Sequence, residues 1–278
     1  MPEFNYRKKK ENKLKLIFLK LGGSLITDKD KPYSARLDII RSAAEQIVRA
    51  TTQNPDMHIL IGHGSGSFGH SAAKNSGYSK GEFNKTNWHG FQSIWFAAHS
   101  LNRILIEEFF QAGLPVVSFP PSAAVNSKNK KIISWNIEPI KAALSSGLIP
   151  VIYGDIIFDQ DLGGIIYSTE ELFLYLINEL NPGKILLAGK EEGVWADFPD
   201  NSELIRNLSK NNIQHYQSSI NSSQYVDVTG GMQKKVELMF MVQDLHPDIQ
   251  TNIFSGEIPG LIFQALSGKD IGTKITKK

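Results

Sequence analysis

Cysteine is absent from this chain of 278 residues. That absence excludes a disulfide framework, a thiolate nucleophile and a zinc–thiolate site, and it fits a reducing cytoplasm. Long apolar runs are missing too, since no stretch approaches the roughly 20 apolar residues that a bilayer-spanning helix needs. Excess charge of one sign is lacking: 30 Lys and Arg against 28 Asp and Glu leave a formal net charge of +2. So small a balance gives no argument for nucleic acid or a membrane surface as partner. The pattern GxxxxGK[ST] does not occur, which removes a Walker-type phosphate loop. The seven histidines are scattered without metal-ligand spacing, so no metal site is expected. What remains, with 41% hydrophobic and 21% charged residues, is an ordinary globular composition on a chain long enough to bury a substantial core.

Residues 1–13, MPEFNYRKKKENK, are basic but carry neither the apolar core nor the small-residue cleavage site of a signal peptide. They read as a disordered tail, and residues 14–278 as one domain. Short apolar runs predict strands at 14–21, 57–61, 115–119, 149–153, 184–187 and 249–254. Helical spacing predicts helices at 37–50, 88–110, 139–146, 169–180, 232–245 and 259–266. Residues 156–167, broken by DQDLGG, read as a hairpin. The polar stretch 211–224 reads as a surface excursion. This alternation predicts an α/β fold with a mostly parallel sheet covered by helices on both faces. Ligands of such sheets gather at the carboxyl ends of strands. Three glycine-bearing strand ends qualify: Gly22-Gly23-Ser24, Gly64 to Gly69, and Gly154-Asp155.

The second of these matches GxGxxG after a strand, the pattern of a dinucleotide-binding turn. That reading also wants an acidic residue ending the next strand, about 20 residues on. Residues 83–89, FNKTNWH, offer neither acid nor strand. The loop is then either a plain glycine turn or a backbone cradle for an anion at a helix amino terminus.

Taken together the motifs become specific. Lys20-Leu21-Gly22-Gly23-Ser24, Thr27-Asp28-Lys29, His63-Gly64-Ser65-Gly66-Ser67-Phe68-Gly69-His70, Gly154-Asp155, and Asp227-Val228-Thr229-Gly230-Gly231-Met232 with Lys235 follow in that order. The set resembles the amino acid kinase superfamily over residues 14–275 and, through the histidine that closes the glycine loop, its isopentenyl phosphate kinases. The resemblance implies an open three-layer αβα sandwich, with the acceptor in the half before residue 181 and ATP in the half after it. It implies ATP-dependent phosphorylation of isopentenyl phosphate in isoprenoid biosynthesis, Mg²⁺ carried in with ATP, and a cytoplasmic homodimer.

Phosphoryl transfer needs in-line placement and neutralised charge more than covalent chemistry. The resemblance therefore assigns Lys20 to the transferring phosphate, Lys29 to the transition state and Lys235 to the ATP phosphates. Asp155 is to orient the lysines. Gly22, Gly23, Ser24, Gly66 and Gly231 are to bring backbone to the ATP phosphates, and Ser65, His70 and Gly154 to bind the acceptor. The His70 ring can donate a hydrogen bond to the phosphate that the acceptor already carries. Each has a bland reading: Lys29, Lys234 and Lys235 as solvated charges, Asp155 as the start of a hairpin turn, most histidines as structural. His63 is expected to pack under its strand. Lys20 is the exception, because it follows an apolar strand and precedes Gly-Gly.

The sequence departs from the superfamily pattern in three places. Ser65 replaces a common glycine. Ser168-Thr169-Glu170 replaces Ser-Gly-Asp, with Ser168 and Glu171 forming a capping box and Glu170 available to orient groups on the nucleotide side. Residues 188–194 lack the usual Thr-Asp. An apolar pocket for the acceptor is expected from the helix bearing Trp88, Phe91, Trp95 and Phe96, together with nearby strands. Two other functions share these motifs: a fosfomycin-type phosphonate kinase, and a nucleotide-binding sensor or storage protein without turnover.

Overall fold

In β1 (Lys15–Leu21) the direction of each side chain sorts the fold into two faces. Ile17, Leu19 and Leu21 join one hydrophobic cluster, while Leu16 and Phe18 join another, because successive strand residues point to opposite sides. Lys20 shares the parity of Leu16 and Phe18, so a cation is delivered to the second face at the strand's carboxyl end. The computed structural model describes residues 15–76, 78, 88–222 and 231–278. The expected tail at 1–13 and the motif residues 227–230 lie outside the described residues.

The short helix α1 (Gly23–Ile26) and α2 (Leu37–Gln53) lead to β2 (Met57–His63). Then come α3 (Gly66–Asn75), α4 (Trp88–Gln111), β3 (Val116–Ser118) and a hairpin of β4 (Val125–Lys128) and β5 (Lys131–Trp135). α5 (Glu138–Ser145) precedes β6 (Ile149–Tyr153), the hairpin β7 (Asp155–Asp159) and β8 (Gly163–Tyr167), and α6 (Thr169–Leu180). The remainder comprises β9 (Lys184–Gly189), β10 (Val194–Trp195), β11 (Leu204–Ile205), β12 (Asn207–Ser209) and α7 (Ile213–Ser222), followed by α8 (Gly231–Leu245), β13 (Gln250–Ser255), α9 (Leu261–Leu266) and β14 (Thr273–Thr276).

The main sheet runs β12-β14-β13-β9-β1-β2-β6-β3, with β14 antiparallel to β13 and β12 parallel to β14. The other six strands are parallel to one another. Helices α2, α3, α4 and α9 pack on the first cluster, and α5, α6, α7 and α8 on the second. This is the expected open αβα sandwich. Strands from before residue 181 fill one half of the sheet and later strands the other, meeting where β1 pairs with β9. A smaller sheet, β5-β4-β7-β8, stands beside it. Buried Asp159 joins its two hairpins, accepting from Ser127 Oγ at 2.8 Å and from the Asn129 and Leu162 amides at 3.0 Å.

One element adds to the sequence reading. The surface excursion expected at 211–224 is, over 213–222, the helix α7. Ile213, Tyr216 and Ile220 recur at helical spacing inside the polar run and pack on the second cluster. Among the described residues no helix is long and apolar enough to cross a membrane.

Candidate active site

Register brings two glycine turns together. β1 and β2 pair in parallel out to Leu21 and His63, so Gly22-Gly23 and Gly64-Ser65-Gly66 leave the sheet side by side. The Gly64 amide donates to Leu21 O at 3.0 Å, and the Gly22 amide donates to Ala188 O at 2.8 Å. A Cβ on Gly23 would lie 2.4 Å from Gly66 N. Gly66 itself has φ +50°, and a Cβ there would lie 2.1 Å from Thr27 Oγ1, so both positions exclude side chains. Buried Thr27 locks the junction by donating to Gly23 O at 2.7 Å and accepting from the Ser67 amide at 2.9 Å. α3 therefore begins beside the cleft, with its Ser67 amide taken by Thr27 Oγ1 and its Gly69 amide by Ser65 O.

His63 braces this junction from below. Its Nδ1 is 3.0 Å from Gly64 O and its Nε2 is 3.1 Å from Asn102 Nδ2. A neutral ring protonated at Nδ1 satisfies both contacts. Asn102 Oδ1 in turn accepts from Ser118 Oγ at 2.6 Å. Burial is the main cause that pushes the His63 pKa down to about 4, with the Lys20 charge adding to it. Its carbonyl accepts from the Gly154 amide at 3.0 Å and Thr169 Oγ1 at 2.6 Å. His63 is thus structural, and it ties β2 to β6 and α6.

Lys20 emerges on the α6 face, where its ammonium pairs with the Glu170 carboxylate; the two residues are 5% and 4% exposed. Glu170 is held in place because Ser168 caps α6: its hydroxyl accepts from the Glu171 amide while Glu171 reaches back to the Ser168 amide. Burial by itself would raise the Glu170 carboxyl, but the Lys20 and Lys235 charges hold it below the usual carboxylate range. Lys234, beside Lys235 on α8, pairs with Glu171 at 3.2 Å.

Two cavities flank these lysines. The first, about 140 Å³, is lined by Gly22, Gly189, Lys190, Trp195, Phe198, Ile220 and Gly231, among others. The second, about 40 Å³, is lined by Gly23, Gly64, Ser65, Gly66, His70, Gly154 and Glu170. Lys20, Ser24, Lys29 and Lys235 line both. A separate space of about 20 Å³ adjoins the second cavity, sharing its Ser65, His70, Gly154 and Ile166 walls and adding Ala73, Ile94, Ala98 and Asp155. The arrangement is two cavities with lysines at their common wall, and a largely apolar space beside one of them.

The structure brings together most residues singled out from sequence, with two differences. Gly23 and Gly66 line the second cavity and not the first, because the two glycine turns abut on that side of Lys20. Asp155 orients no lysine among the described residues. Its carboxylate instead accepts from the Ser122 amide at 3.1 Å and the Ile156 amide at 2.9 Å, and burial pushes it up to about 6. The acid that holds Lys20 is Glu170, whose signal was its place after Ser168 in the first turn of α6. Finally, the expected helix α4 does contribute to the apolar space, through Ile94 and Ala98, while its aromatics, none of which was named as a site, pack elsewhere. Phe91 stacks on Phe158 at 4.5 Å, Trp88 lies over the same pair, and Trp95 stacks on His99 at 5.3 Å. Thr27 was quoted in the Thr27-Asp28-Lys29 motif without a role of its own, and Asn102 was missed as an organiser, since a lone Asn carries no pattern.

Comparison with known proteins adds independent findings. Residues 15–248 match the amino acid kinase family. An isopentenyl phosphate kinase from Methanocaldococcus jannaschii is 34% identical over 268 residues, covering 94% of this chain and 98% of the relative. Another, from Methanothermobacter thermautotrophicus, is 30% identical over 270 residues, covering 95% and 100%. A solved structure described as isopentenyl phosphate kinase is similar with a TM-score of 0.78 at 27% identity, covering 94% of this chain and 100% of that one.

Proposed function

The chain belongs to the amino acid kinase family and, within it, to the isopentenyl phosphate kinases, and on that premise we propose that it converts isopentenyl phosphate and ATP into isopentenyl diphosphate and ADP. The observation that carries the reading is the set Lys20, Ser24, Lys29 and Lys235 common to two cavities. An oxygen of the acceptor phosphate attacks the γ-phosphorus, the bond to the β-phosphate oxygen breaks, and ADP leaves. A phosphate monoester is largely dianionic near pH 7, so its oxygen needs no general base. The site accords with this: Glu170 is engaged by Lys20, and His63 is buried and neutral. The chemistry left to the protein is placement and neutralisation of charge.

Each residue then has a task. Lys20, held by Glu170, meets the transferring group, Lys29 meets it in passage, and Lys235 holds the ATP phosphates. The His70 ring and Ser65 hold the acceptor phosphate, and the apolar space receives the hydrocarbon. Among the described residues, the carboxylates lining the two main cavities are Glu170 and Glu191. Glu170 pairs with Lys20, and Glu191 accepts from Trp195 Nε1 at 2.9 Å. These residues fit Mg²⁺ that arrives on ATP rather than in a protein cage. A homodimer is part of the same proposal: α4 leaves Phe96 and Phe110 exposed at 63% and 73% on one stripe of the helix.

The test is ATP consumption with isopentenyl phosphate, dimethylallyl phosphate, fosfomycin, acetylglutamate and UMP in parallel. Turnover is expected with isopentenyl phosphate foremost. Robust phosphorylation of acetylglutamate with none of isopentenyl phosphate overturns the reading. Preference for fosfomycin assigns the phosphonate alternative, and no turnover of any acceptor assigns the non-catalytic one.

A further inference from the structure

One ion pair joins the Lys29 loop to the loop beneath the nucleotide-side cavity, and the transfer chemistry above does not use it. Residues 28–35 leave α1 and return to it. Their neck is closed by an antiparallel bridge between Thr27 and Ala35, by the Asp28 amide donating to Ser34 O at 2.9 Å, and by the Arg36 amide donating to Ile26 O at 2.8 Å. At the foot of the loop, Arg36 Nη1 donates to Leu25 O at 3.2 Å and to the Glu257 carboxylate. Leu25 O lies in the last turn of α1, where helix carbonyls need outside donors.

Glu257 follows β13 and is itself tied inward. Its amide donates to Ser255 Oγ at 3.2 Å, and Ser255 Oγ donates to Lys190 O at 3.0 Å. The Gly256 amide donates to Gly189 O at 2.8 Å. Gly189 and Lys190 line the nucleotide-side cavity. A Cβ on Gly256 would lie 2.5 Å from Leu25 Cδ2, so the segment after β13 also packs on α1, from which the Lys29 loop leaves. The path from cavity to Lys29 loop is therefore continuous. The Arg36 and Glu257 side chains are 26% and 35% exposed, and pairs so wet add little to global stability. What the pair supplies is direction, through a planar guanidinium fixed on two acceptors.

We propose that Arg36 and Glu257 are positioning residues that couple occupation of the nucleotide cavity to the placement of Lys29. The kinetic consequence rests on the phosphoryl-transfer reading; the structural consequence does not. Amide hydrogen exchange is measured with and without a non-hydrolysable ATP analogue. In the wild-type chain the analogue should slow exchange across both 187–195 and 28–35. In Arg36→Ala and Glu257→Ala, protection of 187–195 should persist while that of 28–35 is lost. In kinetics with isopentenyl phosphate, Lys29→Ala should lower kcat about a hundredfold. Arg36→Ala should lower kcat roughly tenfold with both KM values within about twofold. Added to Lys29→Ala, it should cost nothing more.

Equal protection of 28–35 in wild type and variants overturns the proposal, as does a kcat loss that adds in full to that of Lys29→Ala. Should Arg36→Ala fail to fold, Glu257→Ala leaves the Leu25 contact intact and carries the same comparison. Absence of turnover by the wild type would remove the acceptor reading alone, because the exchange result decides the coupling by itself.

Discussion

Glu170 and Asp155 are both buried carboxylates at the carboxyl end of the sheet, one in the first turn of α6 and the other opening β7, yet their proton affinities are shifted in opposite directions. Glu170 meets Lys20 and stays ionised despite full burial. Asp155 has only amide donors and the Ser122 hydroxyl about it, and burial raises it to about 6. The difference lies in what each faces. Lys20 projects to the α6 face by strand parity, whereas Asp155 turns toward the Pro121–Ala123 turn and the small space beside the second cavity.

The widest gap between the two regions should appear on removing charge. Glu170→Gln leaves the Lys20 ammonium buried without its counter-charge. Breaking such a pair costs about 3–5 kcal/mol, to be read as a lowered urea midpoint, and the misplaced lysine should lower kcat roughly a hundredfold. Asp155→Asn should leave kcat within about threefold. A larger kcat loss in Asp155→Asn than in Glu170→Gln would return the lysine-orienting role to Asp155.

His70 sharpens the comparison from the acceptor side, since it lines both the second cavity and the space beside it. His70→Ala should raise the KM for isopentenyl phosphate about 10- to 150-fold, the loss of one charge-assisted hydrogen bond of about 1.5–3 kcal/mol. ATP affinity should stay near the parental value, and His70→Gln should retain part of the activity. An unchanged acceptor KM in His70→Ala assigns the ring to packing.

The smallest effect is in the pH dependence of stability. Asp155 titrates near 6 in the fold, above its ordinary value, so the folded chain holds this proton more tightly than the unfolded one. Its contribution is present at low pH and is lost as pH rises through about 6. His63 is the reverse: it is pushed down to about 4, so the unfolded chain takes the proton first, and stability is lost as pH falls from about 6.5 toward 4. The two slopes oppose each other over one window, each at most about 1.4 kcal/mol per pH unit. Asp155→Asn should therefore lose stability more steeply than the parent between pH 6.5 and 4.5, as measured by urea unfolding. Parallel curves would contradict these assignments.

Much of this architecture was legible in the sequence because its strands are short apolar runs punctuated by glycine. The runs 149–153 and 169–180 are observed with those bounds, and the capping box of Ser168 and Glu171 was visible as a spacing. The β4–β5 hairpin was not, since VNSKNKKIISW has few apolar positions and depends on Asp159 from a distant strand to order its turn. α7 was hidden because only Ile213, Tyr216 and Ile220 mark its buried side. In the site, residues on glycine turns were found through motif order and Glu170 was named as an orienting acid, but its pairing with Lys20 was not read, because pairing across 150 positions is fixed by sheet parity and helix placement. Gly154-Asp155 sits in a motif, and that proximity suggested a role which the three-dimensional arrangement gives to Glu170.

The central claim is that a phosphate already on the acceptor receives the γ-phosphoryl group. Phosphorus NMR of a reaction holding only the protein, Mg²⁺, ATP and isopentenyl phosphate tests it most directly. The monoester resonance should decline as two mutually coupled diphosphate resonances of isopentenyl diphosphate grow in step with ADP. ADP forming alongside inorganic phosphate alone, with the monoester resonance unchanged, would contradict the account.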